Sequence, residues 1–178
     1  VNELHIVIYT SNRDKELMVS KIGENIFVYP TRTRFRPLYF LDAMGIVKKI
    51  IKNRIDWLVT AQDPFETGFV GSWVKNKYSL PLQIQVHTDF LSPYFYRESA
   101  KNKIRVFLAK QIIKKADSIR VVSERIKNSI VSKLKIPAEK VSVLAIFVDI
   151  ASIKNSVVTV DLHKKYLGRF IILMASRL

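Results

Sequence analysis

Short apolar runs separated by polar turns recur along this chain, and their period switches between two and nearly four. Leu4–Thr10 (LHIVIYT) reads as a strand, followed by a polar turn at Ser11–Lys15. Asn25–Tyr29 is a second short strand ended by Pro30, and Thr31–Pro37 is a basic loop. Leu38–Asn53 places Leu38, Leu41, Ile46 and Ile50 at helical spacing, with Ala43, Val47 and Ile51 beside them. Asp56–Thr60 then reads as a strand, Thr67–Asn76 as a helix, and Leu82–His87 (LQIQVH) as a strand introduced by Pro81. One long helix is expected over Arg97–Ala116, where Ile104, Phe107, Leu108 and Ile112 recur on one side. Ser118–Val122 is a strand, Glu124–Leu134 a helix and Val141–Val148 a strand. A polar connector covers 150–169, and Phe170–Ala175 starts a last strand.

From Leu38 onward strands and helices alternate. Parallel strands require crossover connections, and helices supply them, so the pattern predicts a doubly wound α/β fold with a mainly parallel sheet. The 178 residues suffice for one such domain with a real core. No uninterrupted apolar stretch approaches the roughly 20 residues that a membrane-spanning helix needs. Val1–Thr10 carries Glu3 and His5 without a basic leader, which does not read as a signal peptide. Cysteine is absent, which excludes disulfides and Cys-based metal sites, and a cytoplasmic setting is the expectation. The chain begins with valine, and Phe170–Leu178 starts like a buried strand and then stops, so a fragment of a longer protein is expected.

In an open parallel sheet, ligands bind beyond the carboxyl ends of the strands. Four predicted strands end there in polar clusters: Thr60 to Pro64, His87-Thr88-Asp89, Ser123-Glu124, and Asp149. His87 is the leading candidate. A neutral imidazole at a strand end can hydrogen-bond a sugar hydroxyl or stabilise developing charge, or it can simply bond a nearby carbonyl. His87 and Asp89 also resemble a metal pair, but no third ligand stands at suitable spacing, and no metal is expected. His5 and His163 read as structural or solvated. No glycine-rich dinucleotide fingerprint, P-loop or nucleophile elbow occurs, and Gly68 and Gly71 read as close helix–strand packing.

The segments IDWLVTAQDPFETGFVGSW, PLQIQVHTDF, ADSIRVVSERIKNSIVSKLKIPAEKVSVLAIFVDI and FIILMASRL stand in an order with a known counterpart. They resemble the N-terminal domain of retaining GT-B glycosyltransferases of family 4, the group 1 glycosyltransferases. The resemblance implies the Rossmann-like half of a GT-B fold. It divides the chain into an acceptor-side domain over 1–150, a connector over 151–169, and the start of a donor-binding domain at 170–178. It implies transfer of a hexose-type sugar from a nucleotide-sugar donor to a glycan or lipid-linked acceptor, as in polysaccharide biosynthesis, with no cofactor. By position, His87 resembles the histidine that faces the donor sugar, and Arg177 the arginine that contacts the nucleotide diphosphate, a task suited to bidentate guanidinium bonding. Asp89 and Ser123 hold cleft-facing positions as acceptor contacts. The family's first strand with its glycine-rich loop is missing before Leu4, and its P-N-G-V-D is here Ala145-Ile146-Phe147-Val148-Asp149. The second domain is absent beyond Leu178, so the chain alone is expected to be inactive.

Charge adds one further element. Thirty Lys and Arg against fifteen Asp and Glu give +15, which implies an anionic partner. Arg32, Arg34 and Arg36 interleave with threonines and Phe35, and Lys48, Lys49, Lys52 and Arg54 follow. Lys101, Lys103, Arg105, Lys110, Lys114 and Lys115 crowd the segment after Tyr94-Phe95-Tyr96. Basic residues beside aromatics suit an anionic membrane surface, which implies a peripheral position on the inner face of the plasma membrane. A nucleic-acid-binding module is the first alternative, but no helix-turn-helix, zinc-finger or RNP signature supports it. A GT-B-like sugar-nucleotide epimerase is the second; the contexts of His87-Thr88-Asp89 and Ser123-Glu124 favour the transferase.

Overall fold

A computed structural model describes residues 2–10, 20–33, 38–51, 56–157 and 159–172. It divides into two units, Val1–Ala145 and Ile146–Leu178. The first unit is an α/β, Rossmann-like domain. Its order is β1 (Leu4–Ile8), β2 (Ser20–Ile22), β3 (Ile26–Pro30), α1 (Tyr39–Ile51), β4 (Val59–Ala61), α2 (Glu66–Tyr78), β5 (Leu82–Val86), α3 (Pro93–Glu98), α4 (Ala100–Lys115), β6 (Ser118–Val121), α5 (Glu124–Leu134) and β7 (Val141–Val143). Strands β4, β5, β6 and β7 form a fully parallel sheet in that spatial order. A second sheet pairs β1 parallel to β3, with β2 antiparallel on the other side of β3.

Alternation within β5 explains the layering. Leu82, Ile84 and Val86 point to one face and are fully buried, as are Ile119 and Val121 on β6. Against them pack Phe65 before α2, Val106, Ala109, Ile112 and Ile113 of α4, and Ile126 and Ile130 of α5. Gln83, Gln85, Arg120 and Thr60 fall on the opposite face, because side chains alternate along a strand. There the Gln85 amide donates to Thr60 Oγ1 (3.2 Å), and its carbonyl accepts from Arg120 Nη1 (2.9 Å). Arg120 also reaches the Leu144 carbonyl at 3.4 Å. This polar ladder crosses the whole sheet. A second cluster joins Ala43 and Ile51 of α1 to Val70 and Val74 of α2, with Val7 of β1 and Tyr9 just after it against it.

Helix α2 lies very close to the sheet. A methyl group at Gly68 would stand 2.8 Å from the Asp63 carbonyl oxygen, and one at Gly71 would stand 2.9 Å from Leu82 Cδ1. The helix layer is also tied at the far edge of the sheet. Asp117 accepts from the Leu82 backbone N–H at 2.7 Å and from the Lys75 ammonium. Burial raises the Asp117 pKa, but the bonds from Lys75 and Leu82 and the charges of Lys75 and Lys140 outweigh it. The carboxyl therefore sits below its ordinary value.

The structure corrects several expected boundaries. Strand β4 begins at Val59 rather than Asp56, since Val59 pairs with Leu82 and the preceding partner would be Pro81, which has no N–H to donate. The expected helix over Arg97–Ala116 is two helices. Ser99 is extended and caps α4 through its Oγ, which accepts from Asn102 N at 3.1 Å. Strand β7 stops at Val143 rather than Val148, because β6 is its partner and ends at Val121. Strand β2, short and led by Ser-Lys, gave no pattern to read. The turn at Ser11–Lys15 lies outside the described residues.

The second unit carries two short helices, α6 (Ile150–Lys154) and α7 (Leu162–Lys165), where a connector was expected. Each is capped by an aspartate: Asp149 accepts from Ser152 N, and Asp161 from His163 N and Lys164 N. No described residue of this unit is buried. Residues 170–172 form no strand, and the rest of the expected last strand lies outside the described residues.

Gly68→Ala should destabilise the domain by about 1–3 kcal/mol, since the added methyl meets backbone that cannot rotate away. Urea unfolding with an unchanged slope and a lower midpoint is the expected result.

Candidate active site

All four strands of the parallel sheet run the same way, so their carboxyl ends share one edge. The register sets the heights: Ala61 pairs with Ile84, Val86 with Val121, and Val121 with Val143. Just beyond lie Gln62-Asp63, His87-Thr88-Asp89 and Val122-Ser123, in three of the four clusters expected from the sequence; the fourth, Asp149, lies in the second unit as the cap of α6, because β7 stops at Val143. In the other sheet β1 and β3 are likewise parallel and end in Tyr9-Thr10 and Thr31-Arg32. Thr31 is fully buried there and ties the two ends together. Its Oγ1 accepts from Thr10 N at 3.1 Å and its N–H donates to the Ile8 carbonyl at 2.9 Å.

His87 is exposed immediately past β5, and its ring makes no hydrogen bond or ion pair with any described residue. The carbonyl-bonded alternative is therefore not what this geometry holds. Its loop is nonetheless tied by backbone hydrogen bonds. Phe90 N donates to the Thr88 carbonyl and Ser92 N to the Asp89 carbonyl, while the Phe90 ring is 1% exposed. Phe65, from the loop after β4, meets Phe90 edge-on at 5.9 Å and stacks on Phe95 of α3 at 5.7 Å. This aromatic knot fastens the loops after β4 and β5 to each other beneath the edge.

The Asp89 carboxylate pairs with Arg125, whose Nη1 lies 3.7 Å away. Ser123 caps α5: its Oγ accepts from Ile126 N at 3.4 Å, which leaves the hydroxyl hydrogen free to donate. Arg177 lies outside the described residues. Asp63 acts as the lid of α2, accepting from Phe65 N (2.7 Å) and Thr67 N (3.3 Å). Sequence reading placed it in a polar cluster but missed this role, although Asp-Pro-x-x-Thr after a strand is a capping signal. Among the described residues, no three His, Cys, Asp or Glu side chains gather as a metal site.

Tyr9, at the end of β1, was missed altogether. It stacks on Tyr39 at 5.7 Å, and its hydroxyl donates to the Glu66 carbonyl at 3.3 Å. Burial, then the charges of Asp63 and Glu66, push the phenol from 10.0 up to about 12.

Residues 2–152 match the family described as Glycosyltransferase Family 4. The chain belongs to that family. It is also 30% identical over 137 residues to an uncharacterised glycosyltransferase of Methanocaldococcus jannaschii, an alignment that covers 75% of this chain and 36% of that protein. The chain thus spans about a third of the length of that relative. As a family 4 domain, it carries its candidate chemistry on the strand-end loops rather than on the helix faces.

Because the folded Tyr9 holds its proton more tightly than the unfolded chain does, its contribution to stability is full below pH 10.0 and is lost as pH rises towards about 12. Tyr9→Phe should flatten that alkaline decline, as read from urea midpoints across the range.

Proposed function

We propose that this domain is the acceptor-side wall of a retaining glycosyltransferase that moves a hexose-type sugar from a nucleotide-sugar donor to a glycan or lipid-linked acceptor. The observation that carries the reading is the free imidazole of His87 at the carboxyl edge of a family 4 parallel sheet. In such a transfer the bond from the anomeric carbon to the diphosphate breaks. Positive charge grows on the sugar, and negative charge grows on the departing diphosphate. The acceptor oxygen bonds to the anomeric carbon and gives up its proton. An imidazole at this strand end can hydrogen-bond a donor hydroxyl, a contact whose contribution grows as charge develops. Ser123, whose hydroxyl hydrogen is free to donate, and Asp89 are proposed as the acceptor contacts. Arg177 is proposed for the diphosphate, where a planar guanidinium binds two oxygens at once. The reaction is proposed to need no cofactor and to take place in the cytoplasm.

In the complete enzyme, His87→Ala should lower kcat by about 10²-fold or more while leaving the melting temperature unchanged. Radiolabelled transfer from UDP-, GDP- and ADP-sugars would read this. Near-normal turnover in the variant would remove His87 from the reaction.

A further inference from the structure

The His87 loop is anchored through Phe90, and Phe90 meets Phe65 edge-on. Phe65 thus stands between the loop that carries His87 and helix α2, whose first residue, Glu66, follows it directly. A third element touches this point. The guanidinium carbon of Arg105, from α4, lies 5.3 Å from the centre of the Phe65 ring. The same guanidinium donates twice to one oxygen of Glu66, from Nε at 2.9 Å and from Nη2 at 2.6 Å. One side chain from α4 therefore holds two consecutive residues, Phe65 through its ring and Glu66 through its carboxylate.

A guanidinium suits this double task. It is planar, so its face can meet a ring while its edge donates to a carboxylate, whereas a lysine ammonium is a compact point charge. Arg105 also differs from its neighbours on the helix. Lys101, Lys103, Lys110, Lys114 and Lys115 pair with no acid among the described residues. The Arg105–Glu66 pair is partly exposed, at 29% and 47% for the two side chains. Such pairs add little to stability, because water screens them and ordering two long side chains costs entropy. What the contact supplies is placement of the Phe65 ring.

We propose that Arg105 is a positioning residue for the transfer reaction. It sets the Phe65 ring, the ring sets Phe90, and Phe90 sets the loop that carries His87. Arg105 touches neither substrate in this scheme and acts only through the aromatic pair. Transfer is sensitive to such placement, since a shift of about 1 Å at a reacting group can cost on the order of 100-fold in rate. The catalytic part of the proposal rests on the reading of His87 given above. The mechanical link from Arg105 to His87 stands apart from it.

The test uses the complete enzyme carrying carbon-13-labelled histidine, with the His87 ring signal assigned by its loss in His87→Ala. Arg105→Gln and Glu66→Ala should each shift that signal and lower kcat about tenfold, with the donor KM within about twofold and Tm nearly unchanged. The double variant should lose no more than either single one, since both break the same contact. Arg105→Lys, which keeps the charge without the planar fork, should recover only part of the loss. Lys164→Gln, which removes the same charge from an exposed site in the second unit, should change neither signal nor turnover. A fall in kcat with the His87 signal unmoved would overturn the proposal, because Arg105 would then act by another route. An unmoved signal with normal kcat would also overturn it, as would full recovery in Arg105→Lys or an equal loss in Lys164→Gln. A shifted signal together with near-normal turnover in His87→Ala would keep the link between the two residues and remove His87 from the reaction instead.

Discussion

The close approach of α2 to the sheet is the constraint on which the domain hangs. Glycine at 68 clears the Asp63 carbonyl, and glycine at 71 lets the helix lie directly on the side chains of Leu82 and Ala61. The helix then serves both cores. Val70 and Val74 pack with α1 and β1, while Phe65 at its start packs with α3 and the rest of the parallel sheet. Moving α2 outward by a methyl radius would open both clusters at once, since close-packed interiors transmit small shifts instead of absorbing them. The edge loops inherit this precision. Asp63 bonds the first turn of α2, and Phe65 then holds Phe90, whose loop presents His87.

The fold was legible where one signal dominated. The alternation in LQIQV marks both β5 and the face it buries, and the succession of strands and helices marks a parallel sheet. Boundaries failed where a partner decided the matter: Pro81 shortens β4, and the end of β6 shortens β7. The break at Ser99 was written in the sequence as a cap, but continuous apolar spacing hid it. Strand β2 exists because β3 offers it an edge, which is a tertiary fact.

The candidate site was legible in part for the same reason. A residue that follows an alternating strand must sit at its end, so His87 could be placed by counting. Whether its ring was free could not, since that depends on neighbours far away in the chain. Asp117 illustrates the converse. It belongs to a stretch that resembles the family, yet it lies at the opposite end of the sheet and clamps Leu82 and Lys75. Tyr9 gave no signal, because its raised pKa comes from burial in the folded domain and then from Asp63 and Glu66, more than fifty residues away.

The polar ladder of Thr60, Gln85, Arg120 and the Leu144 carbonyl has a consequence for how the chain avoids misfolding. A slip of β5 by one residue past its neighbours would exchange its two faces. Gln83 and Gln85 would then turn into the apolar helix layer, away from Thr60 and Arg120, at a cost of roughly 1–3 kcal/mol for each amide left unpaired. Arg120 would lose the Gln85 carbonyl in the same step and keep only the Leu144 carbonyl. The ladder thus works as a proofreading device, adding little to the correct pairing and penalising its nearest competitor heavily.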